Sequence, residues 1–139
     1  GLDPQTRKTL WQVIEDLRRE GLTVLLTTHY MEEAADSDHI VIIDSGEIIA
    51  EGTPLELKNK YTKDTVTLYG VDEKDVKKLG LPYIFDDSYC KLFIENTSKA
   101  AELIANNREL FVDFEITKGK MDDVFLAVTG KELHGGVSR

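Results

Sequence analysis

The stretch that most constrains this chain is Thr23-Val24-Leu25-Leu26-Thr27-Thr28-His29, which runs directly into Tyr30-Met31-Glu32-Glu33-Ala34-Ala35. A short apolar run without polar alternation fits a strand covered on both faces, as parallel strands are. A helix pattern begins at once behind it. In open α/β sheets, ligands sit beyond the carboxyl ends of the parallel strands. The pattern therefore predicts an α/β core with His29 on the last residue of a strand, where a reacting group would be met.

The residues before it supply half of a βαβ unit. Asp3 is placed to cap a helix and Pro4 to open it. Leu10, Val13, Ile14 and Leu17 recur at helical spacing and mark the buried side of that helix. Gly21 is placed to close it in a left-handed conformation. The strand that should precede the helix is expected before Gly1, and the opening Gly1-Leu2-Asp3-Pro4 reads as cut from a longer protein. After the short acidic helix at Met31–Ala35, residues 39–43 read as a strand. Asp44-Ser45-Gly46 reads as a hairpin turn and residues 47–50 as the return strand. Thr53 and Pro54 begin a helix that runs to Asn59.

These residues together resemble the tail of an ABC transporter nucleotide-binding subunit. The resemblance rests on four pieces in order: Gly1-Leu2-Asp3-Pro4, then Leu-Leu-Thr-Thr-His29, then Met31-Glu32-Glu33-Ala34, then Ile-Ile-Asp-Ser-Gly-Glu-Ile-Ile-Ala-Glu-Gly-Thr-Pro54. The wording is most similar to the drug- and antibiotic-efflux, daunorubicin-resistance-like branch. The late run from Met121 to Leu133 resembles that branch's ending. The resemblance implies that Gly1, Leu2 and Asp3 form a D-loop at the interface of two nucleotide-binding subunits and sense the nucleotide. It implies that His29 is the catalytic switch histidine facing the γ-phosphate of ATP, with Mg2+ as cofactor of the whole protein. It further implies a second ATP-binding subunit and a membrane permease as partners, and a peripheral place on the cytoplasmic face of the membrane. Phosphoryl transfer depends on positioning and charge stabilisation, which a histidine at a strand end can supply. The helix start behind His29 is expected to add a favourable dipole.

No Gly-x-x-x-x-Gly-Lys-Ser/Thr loop occurs in the chain, and Lys118-Gly119-Lys120 is only a superficial echo of one. No signature motif and no apolar strand ending in Asp-Glu occurs either. The chain alone is therefore expected neither to hold ATP tightly nor to hydrolyse it.

Beyond a polar joint at residues 60–64, the pattern reads strand 65–69, helix 72–79, strand 81–85, strand 90–95, helix 98–106, strand 110–117. That βαββαβ order is the order of a ferredoxin-like α+β unit. The fold class expected is α/β, the end of a P-loop ABC ATPase core followed by this accessory domain. The expected division is residues 1–60, 61–133 and a mobile tail 134–139. A last helix over Met121–Val128 carries Val124, Phe125 and Val128 on one face and is expected to pack on its own domain. The capping residue usual in the family is absent before it, at Gly119-Lys120.

The net charge is -9, from 17 basic and 26 acidic residues. Both halves are acidic, so no basic face for nucleic acid is expected. The aromatics Tyr69, Tyr83, Phe85, Tyr89, Phe93, Phe111 and Phe114 read as sheet core rather than a base-stacking platform. The single Cys90 excludes an internal disulfide, fits a reducing compartment and reads as core. Thr27 and Thr28 read as strand formers, and Glu32 and Glu33 as a solvated helix face. His39 and His134 have no partners at ligand spacing, so no metal site is expected. Two other functions stand beside the exporter subunit: an ABC-type ATPase that transports nothing, and a non-enzymatic regulatory or dimerisation module in residues 65–130.

Overall fold

A computed structural model describes residues 3–130 of the chain. Gly1, Leu2 and the expected tail at 134–139 lie outside the described residues, as does the end of the late run beyond Gly130. The fold is mixed α/β, with two small antiparallel sheets and six helices among the described residues.

Helix α1 (Pro4–Arg19) starts where Asp3 caps it, its carboxylate accepting the Thr6 N–H at 2.8 Å. Gly21 follows its end with φ 96°, a conformation that glycine adopts without a Cβ penalty. The expected buried side does not form: none of its residues is buried, and Leu10, Val13 and Leu17 are exposed. Residues 22–28 have no regular secondary structure and join no ladder. Leu25 is 95% exposed. The strand expected at Val24–Leu26 is thus corrected to an unpaired segment without regular secondary structure. A parallel strand exists only through neighbours that bond it on either side, and the described residues provide none.

Helix α2 (Met31–Ala35) leads into the hairpin of β1 (Ile40–Asp44) and β2 (Glu47–Gly52). The hairpin turns on Ser45 and Gly46, both at positive φ (52° and 80°), as a tight two-residue turn requires. Helix α3 (Pro54–Tyr61) begins with a reciprocal cap: Thr53 accepts the Glu56 N–H, and the Glu56 carboxylate accepts the Thr53 N–H.

The second sheet contains β3 (Asp64–Tyr69), β4 (Tyr83–Asp86), β5 (Tyr89–Ile94) and β6 (Asp113–Thr117), in the spatial order β4-β5-β3-β6 with every neighbour antiparallel. Between its strands lie α4 (Glu73–Lys77) and α5 (Thr97–Asn106, capped by Asn96). The stretch expected to open the last strand, from Leu110, is instead the end of a short 3-10 turn (Arg108–Leu110), and β6 starts at Asp113. One face of this sheet carries its core: Val66, Leu68, Cys90, Leu92 and Ile94 meet Val76 of α4 and Ala100 of α5. Cys90 is fully buried there, and burial pushes its thiol above the ordinary range. Phe111 is buried in the same core, and Tyr83 and Phe85 pack against it. Tyr69 and Tyr89 instead line a shallow hollow on the open face of the sheet, beside Lys63, Lys91, Lys118 and Lys120.

The last helix, α6 (Met121–Thr129), starts at Met121 despite the missing capping residue. The Asp123 carboxylate accepts the Lys120 N–H at 3.2 Å in its place. It does not pack on the sheet that precedes it. Met121 and Val124 close a separate core with Ile40, Ile42, Ala50 and Leu57, and Met31, Ala34, Ala35, Phe125 and Val128 pack against it. An apolar stripe declares that a helix face will be covered but not by which neighbour, and here the neighbour is the N-terminal unit.

The link from β6 to α6 is pinned where it crosses. Lys118 Nζ lies 3.1 Å from the buried Asp64 carboxylate and donates to Asn59 Oδ1 at 3.0 Å. The Gly119 N–H donates to the other Asp64 oxygen at 3.2 Å. A Cβ on Gly119 would lie 1.8 Å from Thr62 Oγ1 and 2.4 Å from Thr62 Cβ, so only glycine fits without displacement. The apparent echo of a phosphate loop is therefore a structural joint between the two cores.

Candidate functional site

His29 lies in a bend between the unpaired segment and α2, and its side chain is exposed. Its neighbours are held closely. The Thr28 hydroxyl donates to Glu33 Oε2 at 2.6 Å and accepts the Tyr30 N–H at 3.0 Å, which wraps the backbone around His29 in a side-chain-closed turn. The other Glu33 oxygen accepts Arg7 Nε at 3.0 Å, and a second guanidinium nitrogen of Arg7 pairs with the same oxygen. The Arg7 guanidinium also lies over the Tyr30 ring, 4.0 Å from its centroid, in a cation–π contact. This ties the loop to α1 across 26 positions of sequence.

The electrostatics follow from that geometry. Desolvation pushes the Glu33 carboxyl up, but hydrogen bonds from Thr28, Arg7 and Trp11 outweigh it, and the carboxyl is held below its ordinary value. The Glu33 hydrogen bond raises Arg7 in turn. The Glu33 side chain is 15% exposed, so the solvated face expected for it is corrected; Glu32 is exposed as expected. Thr28 is likewise more than a strand former, since its hydroxyl is the hub of the turn. The sequence carried no local sign of this, because the partner that orders Glu33 sits on another helix.

The dipole expected behind His29 is weak. Helix α2 has five residues, and its first turn already holds Glu32 and Glu33. Aligned peptide units sum with length, and these carboxylates compensate much of what remains.

Asp3 is exposed at the start of α1, and hydrogen bonds from Thr6 hold its carboxyl below the ordinary value. Capping accounts for those bonds. Gly1 and Leu2 lie outside the described residues, so the expected Gly1-Leu2-Asp3 set is seen only at Asp3. Among the described residues no group of three His, Cys, Asp or Glu side chains could hold a metal ion. His39 lies 3.2 Å from the Glu51 carboxylate, with both side chains exposed. No described helix is long and apolar enough to cross a membrane.

The site is thus an exposed imidazole on a braced turn, at the end of an unpaired segment, and among the described residues no metal ligand set stands with it. An imidazole so placed can donate a hydrogen bond to an anionic group brought up from outside the described residues.

No family model matches the chain. It is similar over nearly its whole length to curated ATP-binding proteins. It is 36% identical over 138 residues to the Nod factor export ATP-binding protein I of Cupriavidus metallidurans, covering 96% of this chain and 45% of that protein. It is 32% identical over 146 residues to the doxorubicin resistance ATP-binding protein DrrA of Mycobacterium tuberculosis, covering 93% and 44%. It is 32% identical over 144 residues to the daunorubicin/doxorubicin resistance ATP-binding protein DrrA of Streptomyces peucetius, covering 94% and 44%. The chain spans less than half the length of these relatives.

Proposed function

We propose that this chain is the C-terminal part of an ABC-type ATP-binding subunit of an exporter, because it is similar, along almost all of its length, to ATP-binding proteins of Nod factor export and of doxorubicin resistance. In the complete protein, ATP hydrolysis would drive export through a membrane permease. Two subunits would meet across the ATP, with Gly1, Leu2 and Asp3 at their interface, and the assembly would sit on the cytoplasmic face of the membrane through its permease. The observation that carries this reading is the unpaired segment 22–28. It joins no ladder, leaves Leu22, Val24, Leu25 and Leu26 exposed, and ends at His29. Together with the exposed Leu10, Val13 and Leu17 of α1, it presents the surface that further parallel strands would cover.

In this reading His29 donates to the γ-phosphate and helps hold the attacking water, a role of positioning and charge stabilisation. The described residues do not fit a magnesium site of their own. We read residues 61–133 as the accessory domain, in which the order β4-β5-β3-β6 supports a ferredoxin-like βαββαβ unit. Its boundary falls at the joint near residue 60, with α6 crossing back to the ATPase part.

The test is calorimetry of the 139-residue chain with Mg-ATP. The expected result is no tight binding, because the groups that cradle phosphates are not in this sequence. A micromolar affinity would refute the assignment of nucleotide binding to residues beyond this chain.

A further inference from the structure

Three observations converge on the turn that carries His29. Both residues flanking it are anchored, Thr28 by two hydrogen bonds of its side chain and Tyr30 by its backbone N–H and its ring. The anchors share one carboxylate, Glu33, which in turn is gripped by Arg7 from α1. And α2, which carries Glu33, is itself clamped on its other face, where Met31, Ala34 and Ala35 pack on the core closed by α6. An ordinary surface histidine needs no such frame.

We propose that Thr28, Glu33 and Arg7 are positioning residues for His29: they fix the backbone on both sides of the imidazole, so that it meets the phosphate already oriented. This rests on the ATPase reading of His29 and assigns the orientation to residues that do not touch the nucleotide. The Thr28 hydroxyl is the hub, because it bonds both the turn backbone and the carboxylate. Losing it frees the His29 peptide units while leaving the imidazole chemically intact. A transition-state donor that must find its geometry afresh in each cycle loses rate, not substrate affinity.

The experiment compares Thr28→Val, Thr28→Ser and His29→Ala in the complete ATP-binding protein, with amide exchange of Tyr30 followed in the 139-residue chain. Thr28→Val keeps the shape of the side chain and removes the hydroxyl. It is expected to lower kcat about tenfold with KM for ATP unchanged, the size of effect expected from misplacing a catalytic group by a fraction of an ångström. Thr28→Ser restores most of the lost turnover. Thr28→Val adds nothing when His29 is already alanine. Tyr30 amide exchange speeds up in Thr28→Val, while amides of the β3–β5 ladder do not change. If His29→Ala abolishes turnover but Thr28→Val leaves kcat at the parent value, the positioning inference is overturned and the ATPase reading stands. Equal losses in Thr28→Val and Thr28→Ser, or a rise in KM with kcat unchanged, also overturn it. If His29→Ala retains turnover, the ATPase reading fails first and takes this inference with it.

Discussion

Truncating Val124 to alanine tests whether α6 belongs to the N-terminal core. Val124 is fully buried on α6, in the cluster of Ile40, Ile42, Ala50, Leu57 and Met121. The substitution removes two methyl-sized groups, about 1.6 kcal/mol of transfer free energy at ~0.8 kcal/mol each. The cavity left behind adds to this and brings the expected loss to about 2 kcal/mol. For a chain of this size that corresponds to a melting temperature lower by about 8 °C. Leu126 is the control: it lies on the same helix but is 45% exposed, and Leu126→Ala should cost no more than about 0.5 kcal/mol. Thermal melts give the magnitudes, and hydrogen exchange gives the place. Exchange in Val124→Ala should rise in β1, β2 and α2 rather than in β3 and β5. Equal effects of the two substitutions, or increased exchange confined to the four-stranded sheet, would refute the packing of α6 on the N-terminal unit.

Gly119→Ala should destabilise the chain by about 1–3 kcal/mol, as overpacking does, because its Cβ would overlap Thr62; an unchanged urea midpoint would show that the joint has slack. Glu33 gives a pH dependence whose sign follows from its depressed pKa. The stability it contributes is present above its ordinary value of 4.5 and is lost as pH falls through the lower folded value. The urea midpoints of the parent and Glu33→Gln should therefore differ near neutral pH and converge in acid; a gap that widens in acid would contradict the ion pair with Arg7.

Much of the local structure is legible in the residues. The Thr53-Pro54-x-Glu56 start, the Ser45-Gly46 turn and the Asp3-Pro4 cap are decided by groups within a few positions of each other, and each stands where the sequence places it. The alternation of Cys90, Leu92 and Ile94 marks the covered face of β5 for the same reason. What the residues do not display is the identity of distant partners. Val24-Leu25-Leu26 has the composition of a central strand, yet a strand is completed by neighbours, and none is among the described residues. The stripe of Val124, Phe125 and Val128 calls for cover without naming β1, β2 and α3 as its source. Glu33 looks like any exposed acid on a short helix until Arg7 arrives from α1. The candidate site divides the same way: His29 is visible from its place after an apolar run, whereas the frame around it depends on a contact between separate helices.

The most direct test of the account is ATP turnover by the complete protein with and without His29. Substituting alanine should lower kcat by about 10²-fold or more, the usual result of losing one transition-state donor, while ATP binding is retained. Turnover that stays within about twofold of the parent, well inside that expected loss, would remove His29 from the chemistry and contradict the account.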